Sequence, residues 1–549
     1  HLLLGSSASP LRKALIDSGL GSEVIGGGFD DNRAETLFAV GLKGTEMEHE
    51  NSVFDLVFST LRGLVENGIE EDMVQSAVNS IDFKLREANF GGFPKGIVYN
   101  IQALTSWLYG ADPLMHLRYE KLMRKIKQKA QKGYFEKMID KYLLKNNHQS
   151  LLVGIPKSGL GKKQDAKVRK KLRQLKSSLD SGEIEELVEN TRKLQKLQMT
   201  PDDEESLALL PTLGLEDIPK EVERYPQETK NENAPKVLFH DLFTNDIAYT
   251  QIGFDTRSVP LNRIQYIPLL GKLILGMGTH SHSYVEISQM IGIRTGGIQP
   301  WHFTAVPLND RENILSYVFF NGKALMEKLE DLFDIYKELF GEYNFDNPKR
   351  LVEIIKSSKS DMENSIIPSG NHYVMQRLQS YQSHLGRYNE LTDGITYFKF
   401  LEKLLERAEK NPGEVAEEFK QVAAMLFTRE NTLINITSES ADYPRFEKKL
   451  DQLNRLFSDK AQPPVNLKFD GITPNEAFLT ASTVQYVGKG ANLYDMGFEY
   501  TGRFDVVSSL LRASYLWDRV RVRGGAYGSH NSFDTLTGDF TMVSYRDPN

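Results

Sequence analysis

The sequence predicts an α+β protein of several domains, and three observations carry that reading. The chain has 549 residues, which at roughly 100–200 residues per domain means three or four domains rather than one core. Strand-like runs recur between amphipathic stretches whose apolar residues fall every three or four positions. A middle stretch, near 157–199, keeps helical spacing while its charge rises. With 40% hydrophobic residues, 29 Phe and 23 Tyr, the chain has the material for real cores, which excludes disordered and fibrous classes.

Block 1–156, an α+β domain, opens with Ser9-Pro10 ahead of an amphipathic helix over 11–16, closed by Gly19 and Gly21. Residues 35–42 (ETLFAVGL) alternate as a strand, 52–67 form a helix ended by Gly68, 71–88 form another helix, and 150–155 (SLLVGI) read as a returning strand. Block 157–225 is a helical hairpin and linker. Val168, Leu172, Leu175 and Leu179 keep a four-three spacing, and Ile184, Leu187, Leu194 and Leu197 resume it after Ser181-Gly182. The first arm carries Lys162, Lys163, Lys167, Arg169, Lys170, Lys171 and Arg173, and the second carries Glu183, Glu185, Glu186 and Glu189. The arms are therefore expected to offset each other's charge rather than to form a polyanion patch. Pro201-Asp202-Asp203-Glu204-Glu205 and 210–219 read as exposed linker.

Block 226–460, a further α+β domain, starts with a strand over 247–254 and a helix over 266–277. Strands over 298–306 and 314–321 follow, then amphipathic helices from Ala324, a strand over 432–437 and a helix over 443–458. The run 460–464 (KAQPP) marks a boundary, and block 461–549 begins with a strand within 477–487. Residues 15–21 can be laid over 522–528, each a helix end passing through Gly into a strand, with Tyr527 where the first copy has Leu20. The copies are expected to share a fold while only the later one does chemistry.

Lys plus Arg (67) against Asp plus Glu (74) gives a net charge of −7, so nucleic acid is not an expected partner. The longest apolar stretch, near 269–277, is interrupted by Lys272 and falls far short of the roughly 20 residues that span a bilayer, so no membrane partner is expected either. Zero Cys removes disulfides and thiolate chemistry, and suits a reducing compartment. His1-Leu2-Leu3-Leu4-Gly5 has neither an initiator Met nor a charged signal region, and the chain stops just after a strand-like run, so it reads as a fragment cut at both ends.

The motif search is mostly eliminative. No two His form H-E-x-x-H or its inverted counterpart, and no G-x-S-x-G occurs. His280, His282 and Glu286 have plausible ligand spacing, but Ser283-x-x-Glu286 is a capping box leading into Ile287 and Met290, and capping is the favoured reading. Gly26-Gly27-Gly28 and Gly296-Gly297 lack the spacing of phosphate loops and read as turns. The informative stretch is 517–528 (WDRVRVRGGAYG), where a helix is expected to end with Gly524 as its cap and Tyr527 to open a strand. Arg521 and Tyr527 could converge to stabilise the oxyanion of a tetrahedral intermediate. By spacing alone the plainer reading is preferred, with Arg521 complementing the helix C-terminus and Tyr527 packing as a strand aromatic.

These residues resemble a known family. Ser9-Pro10-Leu11, then Ala14-Leu15-Ile16 and Ser18-Gly19-Leu20-Gly21, Arg294-Thr295-Gly296-Gly297, Gln485-Tyr486-Val487-Gly488, Arg521 with Gly524-Gly525-Ala526-Tyr527-Gly528, and Ser544-Tyr545-Arg546-Asp547-Pro548-Asn549 occur in the order seen in the presequence protease branch of the pitrilysin and insulin-degrading metallopeptidases. The resemblance spans the whole chain, and GGAYG followed by SYRDPN is its most specific part. It implies two homologous halves of α+β domains joined by a helical hairpin into a clamshell chamber. This chain would supply the second domain (1–156), the hairpin, the third domain (226–460) and the opening part of the fourth (461–549).

The family's inverted H-x-x-E-H zinc site and its general base lie in a first domain that has no counterpart here. Zn2+ is thus implied as cofactor of the full-length protein, with ligands outside this chain, and the missing zinc domain and unfolded peptides such as targeting presequences are the implied partners. The family's Arg and Tyr, which cross the chamber to the reacting carbonyl, fall on Arg521 and Tyr527, with Arg523 the neighbour most easily confused with Arg521. The resemblance reverses the preference for the plainer reading. It implies a zinc metalloendopeptidase as the full-length protein, with this chain alone inactive. The alternative is a non-catalytic peptide-binding or structural subunit of the same superfamily. The expected setting is soluble and intracellular, cytoplasmic in a bacterium and mitochondrial matrix or plastid stroma in a eukaryote.

Overall fold

Residues 1–130, 133–231, 235–459, 463–465, 467, 469 and 475–548 are described by a computed structural model. The chain forms two compact units, one of His1–Gln149 with Pro226–Asn549 and one of Ser150–Tyr225. The first is α+β, as the sequence predicts, with thirteen strands among its described residues. These are β1 (Glu23–Asp30), β2 (Leu37–Lys43), β3 (Glu228–Asn231), β4 (Lys236–Asp241), β5 (Ile247–Asp255), β6 (Ile298–Ala305), β7 (Leu315–Leu325), β8 (Thr432–Ser438), β9 (Val484–Gln485), β10 (Gly488–Asn492), β11 (Gly528–Phe533), β12 (Asp539–Tyr545) and β13 (Asp547–Pro548).

The largest sheet runs β3-β4-β8-β5-β7-β6 and is antiparallel except where β4 pairs with β8. That parallel pair requires a crossover, and the many helices between β4 and β8 provide it. β5 alternates buried and half-buried residues at its centre and buries consecutive residues towards both ends, and Phe254 meets the rings of Phe320, Phe340, Phe427 and Phe457 at 4.7–6.2 Å between centroids. Each such pair contributes about 0.5–1.5 kcal/mol beyond its burial. The series of helices begins later than expected: β7 continues to Leu325, held against β5 by Ala248 and Ile247, and the first long helix is Leu329–Gly341.

The helix Pro10–Asp17 starts with Pro at its first turn and buries Leu11 and Leu15 against Val57 and Leu61 of the helix Glu50–Asn67, which ends at Gly68 as its positive φ of 82° requires. The glycines 26–28 are not a turn. They lie within β1, where the pairing with β2 slips between Ile25 and Gly28, and an ideal Cβ on Gly26 would sit 2.5 Å from the Ala39 carbonyl oxygen. A bulge needs that close backbone approach, which leaves room only for hydrogen. The predicted strand over 150–155 does not form, since it finds no partner strand among the described residues and Leu152 is 94% exposed.

Several contacts tie the first block to the third. The helix Glu71–Glu87 packs on the helix Tyr284–Arg294, with Gly292 leaving room for Ser76 and Gly296 for the buried ring of Phe83. Asn79 donates to the Gly292 carbonyl at 2.8 Å, and Lys323 pairs with Glu87 at 2.5 Å. The C-terminal sheet, in the order β10-β12-β11, packs on the helix Gly370–Gln379, where Gly488 admits Val374 and Leu378. The strand expected within 477–487 shrinks to β9, which pairs only with β13 among the described residues. Of the predicted boundary at 460–464, residues 460–462 lie outside the described residues.

In the unit Ser150–Tyr225 the helices Leu160–Ser178 and Ser181–Met199 follow each other through Leu179-Asp180, and Asp180 caps the second in a capping box with Glu183. Among the described residues no ion pair joins the two helices; the one formed here, Lys193 with Glu189, is internal to the second. The expected charge offset between the arms is therefore not made. The acids crowd into the first turns of the second helix, where Glu183 is spent on the cap, while the cations run the length of the first. The expected linker is exposed but contains the short helix Glu204–Ala208, started by the Asp203 carboxylate accepting from the Ser206 N–H.

Candidate active site

The helix Arg503–Leu510 runs on into a wider-wound π-helical segment, Leu511–Val522, in which the Arg523 N–H donates five residues back to the Asp518 carbonyl at 2.9 Å. Such winding is rare and concentrates at functional sites. The chain then turns through two glycines that do different work. An ideal Cβ on Gly524 would lie 2.5 Å from the Val520 carbonyl oxygen, and Gly525 takes the left-handed conformation at φ 79°. The cap is thus Gly525 rather than Gly524. The left-handed glycines of the two similar passages are Gly19 and Gly525, so the overlay of 15–21 on 522–528 is off by one position.

Arg521 and Tyr527 come together. The Arg521 guanidinium carbon stands 4.2 Å from the Trp517 ring centroid and 5.4 Å from that of Tyr527. Tyr527 does not itself join the strand; it immediately precedes β11, its N–H donating weakly to the Arg546 carbonyl at 3.4 Å. Its ring meets Tyr545 edge-on at 5.7 Å, and Tyr545 leans on Tyr486 at 5.9 Å. Arg546 breaks β12 at φ 54°, which lets Asp547 turn away to pair with Gln485 and accept from the Ser544 hydroxyl. The resemblance motifs around Tyr486 and Tyr545 thus build one aromatic buttress behind Tyr527.

Charge pairing separates Arg521 from its neighbours. Asp518 takes Arg523 at 3.1 Å and lies 3.7 Å from Arg519. Among the described residues none accepts a hydrogen bond from the Arg521 guanidinium or the Tyr527 hydroxyl, so these donors are unspent. Tyr527 is 64% exposed. Trp517, Asp518 and Tyr545 lie in stretches that the sequence singled out but received no role there; the four-residue step from Trp517 to Arg521, which puts both on one helix face, is the local signal that could have given the first its place.

The second candidate cluster is structural. Ser283 and Glu286 form the expected capping box, with the Ser283 N–H holding the Glu286 carboxyl below its ordinary range. His282 bonds Glu338 at 2.7 Å, which raises its pKa, and the His280 N–H donates to the Glu342 carbonyl. Among the described residues no three His, Asp or Glu side chains gather so as to hold a metal ion. Among the described residues, His280, His282 and Glu286 therefore do not fit a zinc site.

The family model described as Peptidase M16 inactive domain matches residues 1–81, that of the region associated with peptidases of M16 subfamily C matches 155–404, and that of PreP C-terminal domain matches 475–549. Presequence protease 1, chloroplastic/mitochondrial, of Arabidopsis thaliana is 33% identical over 100% of this chain and 51% of its own length. This chain belongs to the presequence protease branch of the M16 peptidases. The M16 chain is also 35% identical to Protein HypA of Clostridium perfringens, covering 56% of it, and 27% identical to the mitochondrial presequence protease of Emericella nidulans, covering 54% of it. It spans about half the length of the curated relatives it matches. A solved peptidase M16 inactive domain from Pseudomonas fluorescens aligns at TM-score 0.40 and 14% identity, over 59% of this M16 chain and 75% of that one. No helix among the described residues of the M16 chain is long and apolar enough to cross a membrane.

Proposed function

We propose that this chain is part of a zinc-dependent endopeptidase that degrades unfolded peptides, targeting presequences among them, within a closed chamber, and that it contributes chamber wall and the donor pair Arg521 and Tyr527 while the zinc is held by residues outside the chain. The observation that carries the proposal is the unspent state of both donors beside an Asp518 already taken by Arg523. When a scissile carbonyl becomes tetrahedral its oxygen gains negative charge. A guanidinium N–H and a phenol O–H already held in place donate to that oxygen without reorganising, and removing one such donor typically costs about 10²–10³ in kcat. The names of the relatives, presequence proteases of mitochondria and chloroplasts, support the substrate class and an organellar setting.

In the complete protein, Tyr527→Phe is expected to lower kcat by about 10²–10³ with KM little changed. Arg523→Ala, whose charge is already paired, is expected to leave kcat within a few-fold of the parent. Equal loss of affinity and turnover in the Tyr527 variant would reassign that residue to substrate binding, full activity in both Tyr527→Phe and Arg521→Lys would remove the donor pair from the reaction, and absence of peptidase activity in the complete parent protein would favour a non-catalytic subunit. The chain alone is expected to hydrolyse no peptide; chelator-insensitive hydrolysis by the purified chain would defeat the division of labour.

A further inference from the structure

We propose that Trp517 is a positioning residue for Arg521, presenting the guanidinium edge beside the Tyr527 hydroxyl; the inference rests on the reading of Arg521 as an oxyanion donor. Trp517 lies four residues before Arg521 on the same helical segment, and its ring centroid is 4.2 Å from the guanidinium carbon. Tyr527 supplies a second ring at 5.4 Å. Both rings attract the cation through their negative faces.

The means of holding matters. A carboxylate partner would consume N–H donors and cancel the charge, as Asp518 does for Arg523 through the bond from its Nε at 3.2 Å. A ring face grips the flat side of the guanidinium and leaves its in-plane donors free. Among the described residues nothing else bonds to the Arg521 side chain, so the ring faces set its place. Core packing does not account for Trp517, which is 49% exposed and, among the described residues, makes no contact with another ring and donates its indole N–H to none. A tryptophan serving only as filler buries most of its surface.

The test uses the complete protein and a fluorogenic unstructured peptide, with kcat, KM and thermal midpoint measured for Trp517→Tyr, Trp517→Phe, Trp517→Leu, Arg521→Lys and the Trp517→Leu/Arg521→Lys pair. Removing the ring is expected to lower kcat about tenfold, in line with a partly desolvated cation–π contact. KM should change by less than about twofold, the ring variants should recover most of the loss, and Trp517→Leu should add little once Arg521 is Lys. Undiminished kcat in Trp517→Leu, an additive loss in the pair, an effect confined to KM, or failure of Phe and Tyr to rescue overturns the inference while leaving the donor reading intact. Undiminished kcat in Arg521→Lys overturns the donor reading, and this inference with it. Should Trp517→Leu fold poorly, the ranking of Trp above Tyr and Phe against an unchanged thermal midpoint still decides.

Discussion

Single residues set how the stability of this chain responds to pH. His302 in β6 lies against the Ser316 hydroxyl at 3.0 Å, in a cluster with the buried Tyr388 and Thr256, and burial pushes its imidazole down to about 4. The folded protein keeps the ring neutral, whereas the unfolded chain takes up its proton near the ordinary 6.5. Stability from this group is complete above that value and is lost as pH falls from it towards 4, by up to ~3 kcal/mol. Urea midpoints between pH 7.5 and 4.5 should fall less steeply in His302→Gln than in the parent. Asp393 and Asp539, whose carboxyls burial raises, are common to both proteins and cancel in the comparison. A slope unchanged by the substitution would remove His302 as the cause. Nothing local in the sequence marked this cluster, because its members sit far apart along the chain and each looks like an ordinary strand or helix residue. The site itself was legible only in part. Spacing brought Arg521 and Tyr527 within reach of each other and the resemblance singled out Arg521 over Arg523, but the pairing of Asp518 with Arg523 is a contact that only side-chain geometry shows.

Elements were read well where one face is buried and badly where backbone geometry governs. The helix Glu50–Asn67 and the strands β5, β6 and β8 follow their apolar periods closely. β1 was missed because its glycines serve a bulge, and β4 was missed because six residues give too short a period to stand out. The segment 150–155 misled in the opposite way, since a short apolar run carries no information about a partner strand. β7 offers a sharp test of how tightly the central sheet is packed. An ideal Cβ on Gly322 would lie 2.1 Å from the Tyr336 hydroxyl, which is buried and bonded to Thr250 at 2.9 Å. Gly322→Ala should destabilise the chain by about 1–3 kcal/mol in urea denaturation, through overpacking and the loss of that bond. Adding Tyr336→Phe should recover part of the loss, because it removes the atom in the way. A midpoint unaltered by Gly322→Ala would show that the helix Leu329–Gly341 yields more readily than its buried residues suggest.

At the scale of the molecule, stretches distant in sequence make one body. Residues 1–149 meet those after 226 through Asn79 with Gly292, Lys323 with Glu87 and Ser360 with Glu23, while Leu209, Leu213 and Leu215 in the intervening unit are 85–88% exposed. Limited proteolysis should therefore cut first between 209 and 226, and the two products should still elute together under native conditions. Separation of the products on a sizing column would show that these contacts are too weak to act without the covalent link. The same arrangement has a consequence for synthesis. Asn79 leaves the ribosome 213 residues before the carbonyl it will bind, a wait of roughly 10–40 s at usual translation rates. Through that interval the ring of Phe83 lacks its seat at Gly296, so the nascent chain must be shielded or tolerate a sticky surface until the later helix emerges.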